Sequence, residues 1–157
     1  MGRSRGGLTC KIQVLCDSRG VPLHFELAAG QTHDSACFDR VMEGADQALI
    51  GPDGQPAAWP VALGGDKGYR YAWIDDYLLD LGIRPVIASK KNENPDDRPV
   101  AFDREAYRRR NIVERLIGWL KRCRRVCTRY EKTAKNYAGM VRLAIIRRLL
   151  GVRTARN

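Results

Sequence analysis

Apolar and polar residues alternate along residues 9–16, and this period of two is typical of a β-strand with one buried face. A four-residue turn from Asp17 to Gly20 follows, and residues 21–27 return as a second, mostly apolar run. The chain therefore opens with a predicted β-hairpin. Residues 1–8, which precede the hairpin, are rich in Gly and Arg and are predicted to form a flexible lead-in.

Helices and strands alternate along the rest of the chain. Thr32 or Asp34 is placed to cap the first helix, because a short polar side chain there can accept a hydrogen bond from a helical N–H. The predicted elements are a helix at residues 35–49, a strand at 61–63, a helix at 71–81, a strand at 84–88, a long helix at 103–128 and a helix at 133–150. This order is an α/β pattern, and 157 residues suffice for one domain with a hydrophobic core.

The long helix is predicted to have one apolar and one polar side. At about 100° per residue, its apolar residues gather in one stripe: Ile112, Leu116, Leu120, Cys123 and Cys127. The polar side carries Tyr107, Arg110, Glu114 and Lys121. We expect the helix to pack through the apolar stripe and to present the polar stripe away from it. On the helix alone, an ordinary ion pair between Arg110 and Glu114 is the simplest interpretation.

Basic charge is confined to the C-terminal third of the chain. Residues 101–157 contain 17 Lys and Arg against four Asp and Glu, a net charge of +13. The first 100 residues contain 11 basic and 14 acidic side chains, a net charge of −3. A solvated helical face is the alternative interpretation, but so uneven a distribution favours a surface that binds a polyanion such as nucleic acid.

The cysteines and the absence of long apolar runs argue against several classes of protein. The five cysteines are odd in number and scattered, which argues against a disulfide framework. Cys123 and Cys127 lie one helical turn apart, but no nearby His or Cys completes a tetrahedral zinc site, so buried free thiols are favoured. No apolar run approaches the ~20 residues of a membrane span, and no signal peptide is recognisable, so a cytoplasmic protein is expected.

Asp66 occupies a position where ligand sites form in α/β proteins. It follows the buried strand and two glycines, at the carboxyl end of that strand. Considered alone, it is better interpreted as a turn or helix-capping residue. Its neighbours Lys67, Gly68 and Tyr69 change that interpretation when they are taken together with the long helix.

Two motifs together carry a resemblance to a known family. They are Asp66-Lys67-Gly68-Tyr69 and the spacing Tyr107-x2-Arg110-x3-Glu114-x6-Lys121. With the segments at residues 2–9, 30–35 and 108–115, they resemble the DDE transposases of insertion sequences, and in particular the insertion sequence five family. The resemblance covers nearly the whole chain.

The resemblance implies a ribonuclease H-like fold, an α/β domain with a mixed sheet flanked by helices. It also implies a DNA transposase that uses two Mg²⁺ or Mn²⁺ ions, held by two Asp and one Glu, to cleave and join strands at transposon ends. Asp66 would be the second Asp and Glu114 the Glu, and hard divalent ions do prefer carboxylate oxygens. The DNA-binding residues that it implies are Tyr107, Arg110, Lys121, Arg115 and Arg122.

The sequence departs from the family at the first metal-binding Asp, which the family carries on a strand upstream of residues 2–9. Asp17 lies in the hairpin turn and Asp34 is interpreted as a cap, so neither replaces it. We therefore expect residues 1–157 to form one partial catalytic domain without its first strand, with an incomplete two-ion site. Its unpaired strand edges would favour poor folding or self-association, unless the hairpin pairs directly with the strand before Asp66. Arg70 also stands where the family often has a small or acidic residue.

The expected partners are duplex DNA at transposon ends and targets, and either a second copy of the chain or the product of an upstream reading frame. No membrane partner is expected. The alternative to a transposase is a catalytically inactive DNA-binding remnant or a regulatory product of an insertion element. Both hypotheses predict DNA binding, and only the transposase hypothesis predicts metal-dependent cleavage.

Overall fold

Two small sheets and six α-helices make up the part of the chain that the structure, a computed structural model, describes: residues 2–4, 7–51, 53–94 and 98–154. The strands are β1 (Gly2–Ser4), β2 (Gly7–Cys16), β3 (Pro22–Ala29), β4 (Ala62–Gly65) and β5 (Arg84–Ile87). The helices are α1 (Phe38–Ala48), α2 (Ala72–Asp80), α3 (Arg104–Arg109), α4 (Asn111–Leu120), α5 (Arg124–Thr128) and α6 (Ala134–Thr154). The predicted α/β order of elements is confirmed.

The predicted hairpin forms from β2 and β3, which pair antiparallel from Cys10 opposite Ala29 to Cys16 opposite Pro22. Gly20 adopts a φ of 79° in the turn, a left-handed conformation that costs glycine little. The Asp17 carboxylate accepts a hydrogen bond from the Val21 amide at 2.8 Å and stabilises the turn.

The lead-in predicted at residues 1–8 contains secondary structure. β1 pairs antiparallel with the start of β2, with Gly2 opposite Thr9 and Ser4 opposite Gly7. Residues 1, 5 and 6 lie outside the described residues. The Gly-rich composition suggested flexibility, but a Gly-rich segment can also form a strand when a neighbouring strand pairs with it.

The second sheet consists of β4 and β5, which run parallel with Ala62 opposite Arg84 and Gly65 opposite Ile87. α2 makes the crossover between them, as a parallel pair of strands requires. One hydrophobic core joins this sheet to α1 and α2, and its buried residues are Phe38, Met42, Ile74, Leu78, Ile83 and Ile87. Phe38 and Met42 in α1, and Ile74 and Leu78 in α2, are each four residues apart, so each pair lies on one side of its helix.

The C-terminal helices form a second core with the hairpin. Its buried residues are Leu116, Leu120, Val126, Tyr137, Val141 and Ala144, and the face of β2 that carries Cys10, Ile12, Val14 and Cys16 packs against them. The apolar face of β2 and the apolar stripe around Leu116 and Leu120 thus pack in the same core. Asp103 caps α3 by accepting a hydrogen bond from the Ala106 amide at 2.8 Å.

The prediction of one unbroken helix over residues 103–128 is wrong. The helix is interrupted at Arg110 and again at residues 121–123, where Arg122 and Cys123 donate to the carbonyls three residues earlier instead of four. Cys123 then adopts an extended backbone with a ψ of 106°. No Gly or Pro marks either break, so packing of Val126 against α6 overrides the local helical preference.

The cysteines are free, as predicted, but the prediction that Cys123 and Cys127 are buried is wrong: Cys123 is half-buried and Cys127 is exposed. The helix that was to bury both thiols in one apolar stripe is broken at Cys123, which lies outside α4 and α5. Within the described ranges, every helix is too short or too polar to cross a lipid bilayer.

Candidate active site

A cavity of about 1250 Å³ is lined by residues of β2, β4 and α4. β2 pairs with β3 along one edge, and its other edge pairs with β1 only over Gly7–Thr9. β4 pairs with β5 alone among the described strands. The hairpin therefore does not pair directly with β4, and the antiparallel and parallel strands form two separate sheets instead of one mixed sheet.

Asp66 and Glu114 both line this cavity, one from the end of β4 and the other from α4. Asp66 directly follows β4 and precedes a single 3-10 turn at Lys67–Tyr69. Glu114 lies in the first turn of α4. Their side chains are 60% and 57% exposed, so both carboxylates remain accessible to solvent and ligands.

Arg110 brings the two carboxylates together. Its Nη1 lies 3.6 Å from Asp66 Oδ2, and its Nη2 donates to Glu114 Oε1 at 2.6 Å. The guanidinium is only 18% exposed and lies 5.2 Å from the centre of the Tyr107 ring. The ion pair predicted within the helix is thus present, and it extends to a carboxylate 44 residues earlier in the chain.

The other sequence-predicted residues divide into two groups. Lys121 lines the same cavity as the carboxylates, and Tyr107 contacts Arg110. Arg115 and Arg122 are exposed and do not line the cavity. The structure therefore assembles Asp66, Arg110, Glu114 and Lys121 around one space, with two further cations on the adjoining surface.

Asp34 belongs to the cavity and is not a capping residue. Its carboxylate makes no hydrogen bond to the helical N–H groups and instead accepts from Lys11 Nζ and Gln13 Nε2, both at 2.9 Å. Burial opposes ionisation of Asp34, but these two hydrogen bonds and the Lys11 charge outweigh it and hold its pKa below the ordinary 3.8. The predicted capping role is wrong because the Asp34 carboxylate is hydrogen-bonded to Lys11 and Gln13, on the polar face of β2, and not to the helix.

The turn that carries Asp66 packs against Asp34 and Gln13. The Tyr69 hydroxyl donates to Gln13 Oε1, and burial, together with the charges of Asp34, Cys37 and Asp66, raises the pKa of Tyr69. Gly68 faces Asp34 so closely that a Cβ at residue 68 would lie 2.9 Å from Asp34 Oδ2. Sequence reasoning missed Lys11 and Gln13, although two long polar side chains on a strand otherwise rich in apolar residues were a usable signal.

Arg70 has a structural role that explains its departure from the family pattern. It is 6% exposed and pairs with Asp75, which is 1% exposed, and with Glu93. Glu93 in turn accepts a hydrogen bond from the Lys90 amide at 3.0 Å. This buried network ties the start of α2 to the segment that follows β5, next to the turn that carries Asp66.

The donor set at Asp66 and Glu114 fits a hard divalent cation. Carboxylate oxygens are the ligands that Mg²⁺ prefers, and two carboxylates that share one guanidinium are close enough to share a cation with its water ligands. Across the part of the chain that the structure describes, no group of three or more His, Cys, Asp or Glu is arranged to hold a metal. The pair alone thus offers two carboxylates to a cation.

Comparisons with known proteins agree with this arrangement. The chain is 28% identical over 141 residues to a Burkholderia cepacia protein described as a transposase for insertion sequence element IS402, and the match covers 90% of this chain but 62% of that relative. No solved structure gives a significant match. A family model described as the transposase DDE domain matches residues 2–149, which is nearly the whole chain. The chain therefore belongs to the transposase DDE domain family.

Proposed function

We propose that this chain is the catalytic part of a DNA transposase, with Asp66 and Glu114 as two of its metal-binding carboxylates. The observation that carries the proposal is the convergence of these two side chains, from β4 and α4, on the single guanidinium of Arg110. Sequence motifs distant in the chain thus form one site. The chain spans 62% of the relative that it matches, so the activity belongs to a larger protein or assembly.

Divalent Mg²⁺ or Mn²⁺, when bound, supplies the Lewis acidity that activates a water or a 3′-hydroxyl and stabilises the leaving oxygen of a phosphodiester. The residues of this chain hold and orient the reactants. Asp66 and Glu114 provide the carboxylate oxygens, and Lys121 places a cation in the same cavity for a DNA phosphate. Arg115 and Arg122 extend the basic surface along the duplex, where they neutralise phosphates without reading bases.

The cavity supports a ribonuclease H-like fold whose central strand is supplied by an upstream segment. The open edge of β2 and the open edge of β4 line the same space, and one strand placed between them would pair with both. The hairpin and the β4–β5 pair would then become one mixed sheet. A carboxylate on the inserted strand would lie beside Asp66 and Glu114 and complete the set of ligands.

A nicking assay on supercoiled plasmid with Mn²⁺ tests the proposed function. We expect negligible cleavage by this chain alone, since two carboxylates under-compensate the charge of two cations. Fusing the upstream strand of the element should restore cleavage, and Glu114→Gln in that fusion should abolish it. Robust cleavage by the chain alone, lost in Glu114→Gln, would contradict the need for a third carboxylate.

The same fusion tests the proposed strand. Thermal unfolding and gel-filtration sizing, with and without the upstream segment, should show a higher melting temperature and less self-association when the two edges are covered, because open strand edges recruit partners. A cooperative, monomeric chain of equal stability without the segment would contradict the assignment of the cavity to a strand.

The second candidate function is an inactive DNA-binding remnant or regulatory product of an insertion element. The observation that favours it is the neutralisation of both site carboxylates by Arg110, with no third carboxylate gathered beside them among the described residues. A fusion that folds and binds DNA but does not cut it would support this function. The nucleotide sequence upstream is a further test, because an overlapping frame that encodes the missing Asp favours an active fused enzyme.

A further inference from the structure

We infer that Arg110 exchanges between two partners: the Asp66–Glu114 pair when no metal is bound, and a DNA phosphate when a divalent ion occupies the pair. The inference rests on the proposed function and adds a link between its two ligands. Arg110 thus competes with the metal ion for the two carboxylates. When the ion binds them, the Arg110 guanidinium is released and can bind a DNA phosphate.

The geometry places both terminal nitrogens of Arg110 at carboxylates, Nη1 at that of Asp66 and Nη2 at that of Glu114. The Nε atom is buried and has no hydrogen-bond partner among the described residues. A guanidinium has five N–H donors, so donors remain, but the two neighbouring carboxylates offset its positive charge and weaken its attraction for a phosphate.

A divalent ion on this pair competes with Arg110 for the charge of the two carboxylates. An ion bound to Asp66 and Glu114 would lie next to the guanidinium, and the two positive charges repel each other. The other cations that line the cavity, Lys11, Arg109 and Lys121, form no ion pair with Asp66 or Glu114 among the described contacts. Arg110 is therefore the cation that metal binding would displace.

The Tyr107 ring can support the Arg110 guanidinium both at the carboxylates and after its release. It lies 5.2 Å from the guanidinium and packs at 5.3 Å against the Phe102 ring, so it is itself held in place. A guanidinium released from the carboxylates can remain on this aromatic face while its terminal nitrogens turn to a phosphate. Because affinity coupling is reciprocal, metal tightens DNA binding through Arg110, and DNA tightens metal binding.

A double-mutant cycle on DNA affinity, measured without metal by fluorescence anisotropy on a labelled random duplex, tests the exchange. Glu114→Gln removes the carboxylate charge that faces Nη2 of Arg110. It should tighten DNA binding about threefold beyond Glu105→Gln, an exposed control on α3 that removes the same charge. In an Arg110→Gln background, the two substitutions should have equal effects. Equal effects in the original background would overturn the inference, because Arg110 would then gain nothing from release.

Metal binding without DNA provides the second measurement. Arg110→Gln should tighten Mn²⁺ binding, followed by electron paramagnetic resonance, by about threefold relative to Arg108→Gln, an exposed neighbour with the same charge. Equal Mn²⁺ affinity in the two variants would overturn the exchange and leave the proposed metal site intact. Undetectable Mn²⁺ binding in every variant would overturn the exchange and the proposed metal site together.

Discussion

Asp34 anchors the turn that carries Asp66, although its own ion pair is with Lys11 and not with Arg110. Its carboxylate holds Lys11 and Gln13 on β2, and Gln13 accepts the hydrogen bond from Tyr69. Gly68 fits against the same carboxylate. A chain of polar contacts thus fixes the turn on the hairpin, which belongs to a different sheet from β4. Individual side chains carry the link that backbone pairing does not make.

At the residue scale, Gly68→Ala should destabilise the protein. The added Cβ would lie 2.9 Å from Asp34 Oδ2 and 3.3 Å from Asp34 Cβ, and Asp34 is tethered by two hydrogen bonds and cannot move freely. Overpacking of this kind costs about 1–3 kcal/mol. Urea unfolding measures it. The control is Gly118→Ala in α4, where nothing lies within 4 Å of the new Cβ and a gain of about 0.5–1 kcal/mol is expected. Equal effects would contradict the close fit at Gly68.

The pKa of Asp34 makes a second prediction at this scale. Burial raises it, but hydrogen bonds from Lys11 and Gln13 lower it further, so the folded pKa lies below the unfolded one. The stability that Asp34 contributes is therefore fully present above about pH 4 and is lost as the pH falls through its folded pKa. Asp34→Asn should be less stable than the parent chain at about pH 7, and the gap should narrow towards about pH 3. A gap that is constant across this range would contradict the role of the charge.

At the scale of elements, local patterns predicted β2, β3 and α2 well because each has its apolar side chains on one side, whereas β1 lies in a segment predicted to be a flexible lead-in. β2 shows this most clearly, since its alternation identifies both the face on the helical core and the face with Lys11 and Gln13. The long helix was predicted less well. The stripe of Leu116 and Leu120 is buried as expected, but the breaks at Arg110 and Cys123 depend on contacts with distant residues, which the local sequence does not encode.

Leu116 provides the prediction for α4. It is completely buried between the hairpin and the C-terminal helices, on the helix that carries Glu114. Leu116→Ala should lower the free energy of unfolding by about 2–5 kcal/mol, because it leaves a cavity in a packed core. Leu143→Ala on α6 is the matched control, since Leu143 is mostly exposed and its truncation should change stability little. Urea denaturation measures the free energy of unfolding of both variants. Similar losses of stability in the two variants would contradict the buried placement of Leu116.

At the scale of the whole molecule, composition predicted the division of charge but not the division of the sheet. The helices α3 to α6 span residues 104–154, so most of the basic side chains of the C-terminal third belong to this part of the chain. The two carboxylates come from motifs that the sequence identified, and in the structure both lie next to Arg110. That β2 and β4 leave a cavity between them could not be read from either strand, because strand pairing is a non-local property.

The excess of basic side chains on helices α3 to α6 predicts DNA binding that depends strongly on salt concentration. Duplex DNA should bind with little sequence preference, and the logarithm of its affinity should fall linearly with the logarithm of salt concentration, by about 0.9 for each phosphate neutralised. Arg122→Gln should weaken binding and make this slope shallower by about one phosphate, since Arg122 is exposed and outside the cavity. Anisotropy titrations from low to physiological salt measure both. An affinity that does not change with salt would contradict an electrostatic DNA surface.

The presence of two separate hydrophobic cores has a mechanical consequence for the site. Asp66 is attached to the core of α1, α2 and β5, whereas Glu114 is attached to the core of the hairpin and α4 to α6. The gap between the two carboxylates therefore depends on the contacts that hold these two halves together, among them the hydrogen bond from Tyr69 to Gln13. Amide hydrogen exchange should separate the two halves into distinct groups of protection. A ligand that bridges Asp66 and Glu114 would slow exchange in both groups at once, because it fastens one half to the other.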